Sequence, residues 1–416
     1  MNVPMPTPDP STSAGAARLL RSTTAVRERA QQLLARARAG GSGHFAVHDA
    51  ALAGAARTVA QLTRERYPDG RIPYHSRWRH FESGGVDRQG RLDAALGAVD
   101  AATRARAQID LVLVSVLLDA GAGADWHYLE TASCQRFARS EGLGVASFQA
   151  FLDGLFSSDP QQPLRVDAAG LQRVTAAQLG QAFQVRADNP LVGLEGRAAL
   201  LRRLGEVLSA QPAVFGPLGR PGALFDALTA GGASSVAAHD ILVLLLETLS
   251  GIWPAQNAID GEPLGDCWPH PTVTGAGLSD GWMPFHKLSQ WLTYSLLEPF
   301  EWAGVRVTGL DALTGLPEYR NGGLLIDAGV LRPLPTDWAT RAWQAGDAFI
   351  VEWRALTVAL LDELAPLVRA ELGLSDRDMP LACVLEGGTW AAGRVLAQRL
   401  RGGLPPLNIV SDGTVF

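Results

Sequence analysis

Apolar residues recur at the 3.6-residue period along most of this chain, and that pattern most limits what it can fold into. It predicts helices over 14–38, 45–66, 91–118, 128–140, 146–156, 167–182, 195–209, 222–230, 237–250, 285–303, 338–370 and 381–401. The spans 91–118 and 338–370 are long enough to hold two helices each. Strand signals are short: VRVT at 305–308, LLID at 324–327 and LNIV at 407–410. Nothing alternates strand with helix in the way a parallel sheet requires. With 47% hydrophobic residues in 416, a sizeable core is available. The expected fold is mostly α: a single large helical domain with a small β element. A disordered lead is expected over 1–13, an N-terminal helix and GGSG linker over 14–43, and one catalytic domain over 44–416.

Composition then removes whole classes of function. A net charge of -6 is the wrong sign for a nucleic-acid protein, which needs a basic face. Three cysteines, Cys134, Cys267 and Cys383, are far apart and odd in number, which suits a reducing cytoplasm better than a disulfide framework. The opening MNVPMPTPDPSTSAG lacks the basic-then-apolar order of a signal peptide, and ILVLLL at 241–246 is too short to span a bilayer. A soluble cytoplasmic protein is expected, with no membrane and no nucleic-acid partner.

Familiar motifs fail on inspection. AGAGADW has Gly121 and Gly123, but Trp126 stands where a dinucleotide fingerprint needs its third glycine. GLSDG at 277–281 matches the nucleophile elbow by letters, without the strand before it or the helix after it. Cys267 and His270 have ligand-like spacing, yet no second pair completes a zinc site; a buried cysteine beside a surface histidine fits better. LDALTG at 310–315 lacks the two adjacent acids of a ribose-phosphate loop. No metal and no cofactor are expected.

Lys287 is the single lysine among 36 basic residues; every other one is arginine. On a helix it shares a stripe about 60° wide with Trp291, Tyr294 and Glu298, flanked by Gln290 and Glu301, while Leu288, Leu292 and Leu296 face the other way. That stripe is expected to be the wall of a site. Lysine does two things arginine does poorly: it places a compact charge against an anion, and it forms a Schiff base. Loops rich in Trp, His, Asp and Arg lie between the helices: PYHSRWRHF (73–81), LDAGAGADWHY (118–128), GDCWPHP (265–271), LPEYRNGG (316–323) and LEGGTW (385–390). Such side chains in loops point to a binding site.

Long blocks of the chain resemble a known family. FHKLSQWLTYSLLEP, TGLPEYRNGGLLIDAGVL, LEGGTWAAGR and the terminal PPLNIVSDGTVF, with PYHSRWRHF, LDAGAGADWHY, RADNPLVGLEGR and GDCWPHPT, are similar to the bacterial and fungal uracil catabolism protein four family. The resemblance runs from about residue 60 to the end. It implies a place in a route in which uracil becomes a ribonucleotide, the ring is opened, and a ribosylurea species is broken down to urea. Members are often called phosphoribosyltransferases, a label the missing ribose-phosphate loop does not support. A second similarity is to the queuosine-salvage nucleosidases, helical proteins related to DNA-glycosylase folds. Phe285, Lys287 and Gln290 fit their F-x-K-x-x-Q helix, and Glu318, Tyr319 and Arg320 fit their acid-Tyr-Arg run, with Glu for Asp.

These similarities imply a hydrolase that cleaves the N-glycosidic bond of ribosylurea or its 5′-phosphate, with a ribosyl or ribose-phosphate compound as its small-molecule partner. Such chemistry uses two carboxylates around an oxocarbenium-like sugar. Glu318 is the expected partner of the cation, and Glu298 and Asp327 compete for the second role. Lys287 and Arg320 are expected to hold a 5′-phosphate. Asp119, Trp126 and Tyr128 are candidates for sugar hydroxyls or ureido stacking. Asp266, Trp268, His270 and His286 would complete the pocket, with Gln290, Tyr294, Tyr319, Glu386 and Trp390 as further contacts. The alternatives are a Schiff-base lyase or isomerase using Lys287, a phosphoribosyltransferase, and a non-catalytic pathway partner. A concave pocket shared by the 287–298 helix and the 316–327 loop favours an enzyme; a flat surface there favours the partner.

Overall fold

The structure, a computed structural model, describes residues 8–252 and 257–410. The 1–7 part of the expected lead and the last six residues of the terminal block lie outside that range. The fold is mostly helical, and its described strands form only two-stranded pairs. Two helices form its centre. Lys287–Trp302 packs on Ala101–Leu117 and Ala238–Leu249; Ala348–Leu372 packs on Thr23–Arg38 and Leu52–Arg66. One hydrophobic cluster runs through all of these, and it includes Val26, Ala30, Leu33 and Leu34 of the N-terminal helix. Among the described residues no helix is long and apolar enough to cross a membrane.

Most predicted helices are present, and where the chain departs from the pattern a local cause is visible. The 14–38 span breaks in two at Ser22, whose hydroxyl accepts from the Ala25 amide and starts a new helix. The 45–66 span begins as a strand, Phe45–Val47, paired with Leu331–Pro333, before its helix Leu52–Arg66. Residues 128–140 are a hairpin, His127–Glu130 with Gln135–Ala138. Tyr128, Glu130 and Phe137 point inward at period two, and a polar turn with Cys134 at φ 55° joins the strands. The 324–327 strand is helical instead: Glu318 caps Tyr319–Asp327, and Leu324 and Leu325 bury as helical neighbours. Only Ala348–Leu372 of the 338–370 span is helix, and just before it Gly346 packs against the Trp268 ring too closely to admit a Cβ. The last span is interrupted by a π turn, Leu385–Thr389, before Trp390–Arg401.

Glycines set the closest approaches. An ideal Cβ on Gly393 would sit 2.0 Å from the Arg320 carbonyl oxygen, so the helices Tyr319–Asp327 and Trp390–Arg401 meet backbone to backbone. A Cβ on Gly196, in Leu194–Ser209, meets nothing within 4 Å. Gly393→Ala is therefore expected to lower stability by about 2 kcal/mol. Gly196→Ala is expected to raise it by about 0.5–1 kcal/mol. Chemical denaturation of both variants reads the difference; equal midpoints would contradict the packing described.

Candidate active site

A cavity of about 390 Å³ opens where three segments converge. The start of the lysine helix contributes Lys287, Leu288 and Trp291; the next loop contributes Leu316, Glu318 and Tyr319. His75, His80, Asp119, the 120–124 loop, Arg139, Ser140 and Trp390 complete the wall. The site is thus concave and shared by the two segments that sequence reasoning paired.

Asp266 fixes the lysine helix. Its Oδ2 accepts from the Lys287 amide at 3.0 Å, and both its oxygens receive Arg354, at 2.7 Å each. Trp268 Nε1 donates to Oδ1 at 2.8 Å. Burial works to raise this carboxyl, but the Arg354 guanidinium outweighs it and holds the pKa below the usual carboxylate range. Arg354 also reaches the Pro317 carbonyl at 3.4 Å, which ties the Glu318 loop to the same joint. Lys287 lies above this pair. Burial, reinforced by Arg354, lowers its pKa, while Glu318, Asp266 and Asp119 oppose the shift.

Glu318 is held by its own helix. Its oxygens accept from the Arg320 amide at 2.7 Å and the Asn321 amide at 2.6 Å, the two donors a helix start leaves free. Burial raises its pKa against those two bonds and the nearby Lys287 and His75. The carboxylate is therefore fixed in direction at the cavity that it lines.

His75 is the third polar group. Its Nδ1 donates to Glu386 Oε2 at 2.8 Å, so the remaining ring nitrogen serves the cavity that the residue lines. The other Glu386 oxygen receives Arg66 at 2.8 Å and the Tyr67 hydroxyl at 2.9 Å. Burial works to raise the Glu386 pKa, but these three partners, His75 first, hold it down at about 2. Glu386 stands on the π turn, which aims it inward where a regular helix would carry it past. The Trp291 and Trp390 rings flank His75, with centroids 6.5 and 6.2 Å away.

Of the residues proposed from sequence, Lys287, Glu318, Tyr319, Asp119 and Trp390 line the cavity, and Glu386 stands behind it. The others do not line it. Glu298 is buried about one turn further along the helix than Tyr294, bonded to Ser76 at 2.5 Å and Arg79 at 2.7 Å. Burial pushes it up to about 7. Asp327 pairs with Arg401 at 2.5 Å. Arg320 bonds the Gly403 carbonyl at 3.3 Å. Gln290 and Tyr294 both hold Thr314: Gln290 accepts its amide at 2.9 Å, and the Tyr294 hydroxyl donates to its carbonyl at 2.9 Å. His286, in a left-handed conformation at φ 51°, donates Nε2 to the Leu20 carbonyl at 2.9 Å. Trp126 donates to the Phe183 carbonyl, and Tyr128 is core. Trp268 caps the Asp266 joint. His270 is buried rather than at the surface, 3.7 Å from Glu352. The lysine stripe is not an exposed wall, because the helix is buried on all sides from Gln290 to Phe300.

Sequence reasoning missed His75, His80, Arg139 and Ser140. The PYHSRWRHF loop was marked by its composition, but nothing in one sequence says which of its two histidines meets a carboxylate 311 residues away. His80 has an unpartnered Nδ1, packs edge-on to Trp291 at 5.6 Å, and is pushed down to about 3 by burial and Arg77. Among the described residues, no group of three or more His, Cys, Asp or Glu side chains is placed to hold a metal ion.

With this geometry, the chain can be compared with known proteins. It belongs to the family described as "Protein of unknown function (DUF1688)", whose model matches residues 19–416. It is 42% identical over 379 residues to "Uracil catabolism protein 4" of Lachancea kluyveri, covering 83% of this chain and 85% of that protein. It is 43% identical over 353 residues to "Protein urg3" of Schizosaccharomyces pombe, covering 83% and 84%.

The Glu386 cluster has a signature in stability. A carboxyl depressed from 4.5 to about 2 contributes stabilisation that is complete above about pH 4.5 and is lost as pH falls toward 2. Glu386→Gln is expected to cost on the order of 3 kcal/mol at pH 7 and to flatten the acid limb of a stability–pH curve. An acid limb of unchanged slope in the variant would show that the cluster does not carry this linkage.

Proposed function

We propose that this protein acts in uracil breakdown as an N-glycosyl hydrolase, releasing urea from ribosylurea or its 5′-phosphate. The observation that carries the reading is the convergence of Glu318, His75 and Lys287 on one concave site. A relative covering most of the chain is named for uracil catabolism, which supports the pathway.

Breaking the bond between C1′ and the ureido nitrogen leaves positive charge on the sugar and electrons on nitrogen. Glu318, pinned by two amides, presents fixed negative charge to the developing cation without having to reorganise. Urea leaves poorly as an anion, so a proton must reach the nitrogen as the bond breaks. His75, oriented by Glu386, is the group to give it. Water then adds to C1′ and returns a proton to the His75 ring, which closes the cycle as ribosylurea + H₂O → ribose + urea. Lys287 draws Glu318 toward its ionised form and can receive the ureido oxygen. Asp119 and Tyr319, which line the same cavity, would contact sugar hydroxyls. Arg320, Glu298 and Asp327 are bonded elsewhere and have no part in this scheme.

One observation favours a second reading. Burial and Arg354 lower the Lys287 pKa, which is what a Schiff-base amine on an opened sugar needs. Borohydride with substrate would then leave a reduced adduct on Lys287.

The test is urea release by purified protein from ribosylurea and its 5′-phosphate. Wild type is expected to turn over at least one of them. Glu318→Gln should lower kcat by about 10²–10³, and His75→Gln by about 10²–10⁴. No release from either compound, or an undiminished Glu318→Gln, would overturn the reading; trapping on Lys287 would replace it with the lyase.

A further inference from the structure

The AGAGA loop, 120–124, fails as a dinucleotide fingerprint, yet it is the longest continuous stretch of backbone in the cavity wall. The carbonyls of Ala120, Gly121 and Ala122 are bonded to residues outside the loop. Arg197 donates to the Ala120 carbonyl at 2.8 Å, to Gly121 at 3.2 Å and to Leu118 at 3.1 Å. The Val192 amide donates to the Ala122 carbonyl at 3.2 Å. By contrast, the amides of Gly121, Ala122, Gly123 and Ala124 donate to no acceptor among the described residues. A run of free N–H groups whose carbonyls are held away is the backbone arrangement that receives an anion.

The side chains around the loop carry matching charge. Arg197 is 4% exposed and its hydrogen bonds go only to carbonyl oxygens, with Asp119 the carboxylate that acts on it from further off. Arg77 is completely buried and bridges the loop to the start of the helix Arg139–Leu152. Its Nη1 lies 3.3 Å from Asp119 Oδ1 and donates to the Ser140 carbonyl at 3.3 Å, while its Nη2 has no partner. The Arg139 guanidinium, exposed at the cavity on a residue held at φ 54°, makes no hydrogen bond or ion pair among the described residues. Around the loop, Arg77, Arg139 and Arg197 thus have one carboxylate in ion-pair range, Asp119 beside Arg77; Glu141, which also acts on Arg77, is paired with Arg394. Buried charge of one sign without a counter-charge is costly, and an anion in the cavity would supply it.

We infer that the 120–124 loop is a cradle for a phosphate monoester, the 5′-phosphate of the sugar substrate, with Arg139 reaching it from the helix start. The inference rests on the proposed function for the sugar, and on the loop and its arginines alone for the phosphate. It takes the phosphate away from Lys287, which stands with Glu318 at the reacting end, and from Arg320, which does not line the cavity. Arginine suits the role because its planar fork engages two phosphate oxygens at once.

Binding tests this without requiring turnover. Ribose 5-phosphate, ribose and inorganic phosphate are titrated into the full chain by calorimetry, with intrinsic tryptophan fluorescence as a second readout. Ribose 5-phosphate is expected to bind about 10- to 100-fold tighter than ribose, and Arg139→Met to remove that margin while leaving ribose binding unchanged. Inorganic phosphate should compete with ribose 5-phosphate, more weakly than the sugar phosphate itself. Equal affinity for ribose and ribose 5-phosphate, or an unaffected Arg139→Met, would overturn the cradle. Inorganic phosphate binding as tightly as ribose 5-phosphate would overturn the monoester assignment. Tight ribose 5-phosphate binding in a protein that releases no urea would uphold the cradle and reject the hydrolase.

Discussion

The bidentate pair between Arg354 and Asp266 is the joint on which the rest of the site depends. Asp266 takes the Lys287 amide with its side chain and the Phe285 and His286 amides with its carbonyl, so it starts the lysine helix from outside that helix. Arg354 reaches across to the Pro317 carbonyl and lies over the Phe285 ring at 4.0 Å. One buried ion pair therefore sets both the lysine and the loop that carries Glu318. Burying two charges is expensive, and the cost is offset only when geometry is close and the remaining donors and acceptors are filled. Here both carboxylate oxygens are filled more than once. The pair contributes position more than net stability: it fixes where a cation and a carboxylate meet.

The same logic explains why so many polar residues near the site never reach it. Gln290 and Tyr294 are spent on Thr314, which shapes the turn before Glu318. Glu298 is spent on Ser76 and Arg79, next to the loop that delivers His75. Glu386 is spent on His75 itself. A catalytic group held to within a fraction of an ångström needs partners whose own positions are fixed. In this protein those partners come from the lysine helix, from the π turn and from a loop more than 200 residues earlier in the chain.

The helical period was legible in the chain because it is local. Leu194–Ser209 and Ala238–Leu249 follow from their own residues, and Lys287–Trp302 follows from its own period apart from its start at Asp266. The hairpin at 127–138 and the break at Ser22 were not, since a short segment of mixed polarity satisfies either period and the choice is made by what it packs against. For the site, the unusual composition of the loops was informative, and the retained lysine pointed to the right helix.

What the sequence determined by itself was a mostly helical chain, its family, and the segments whose side chains are costly to order without a use: Lys287, the Glu318 loop, the 118–128 loop and the PYHSRWRHF loop. Only the tertiary structure decided which members of those segments meet. Helical spacing alone put Glu298 and Tyr294 on the same stripe as Lys287. The fold wraps that helix on every side, so beyond Trp291 its stripe turns into internal bonds. His75, anonymous in the chain, becomes a member of the site because Glu386 reaches it across 311 residues. Spacing along a helix is fixed by local geometry, whereas contact between distant segments depends on how charges and shapes pair once everything else is buried.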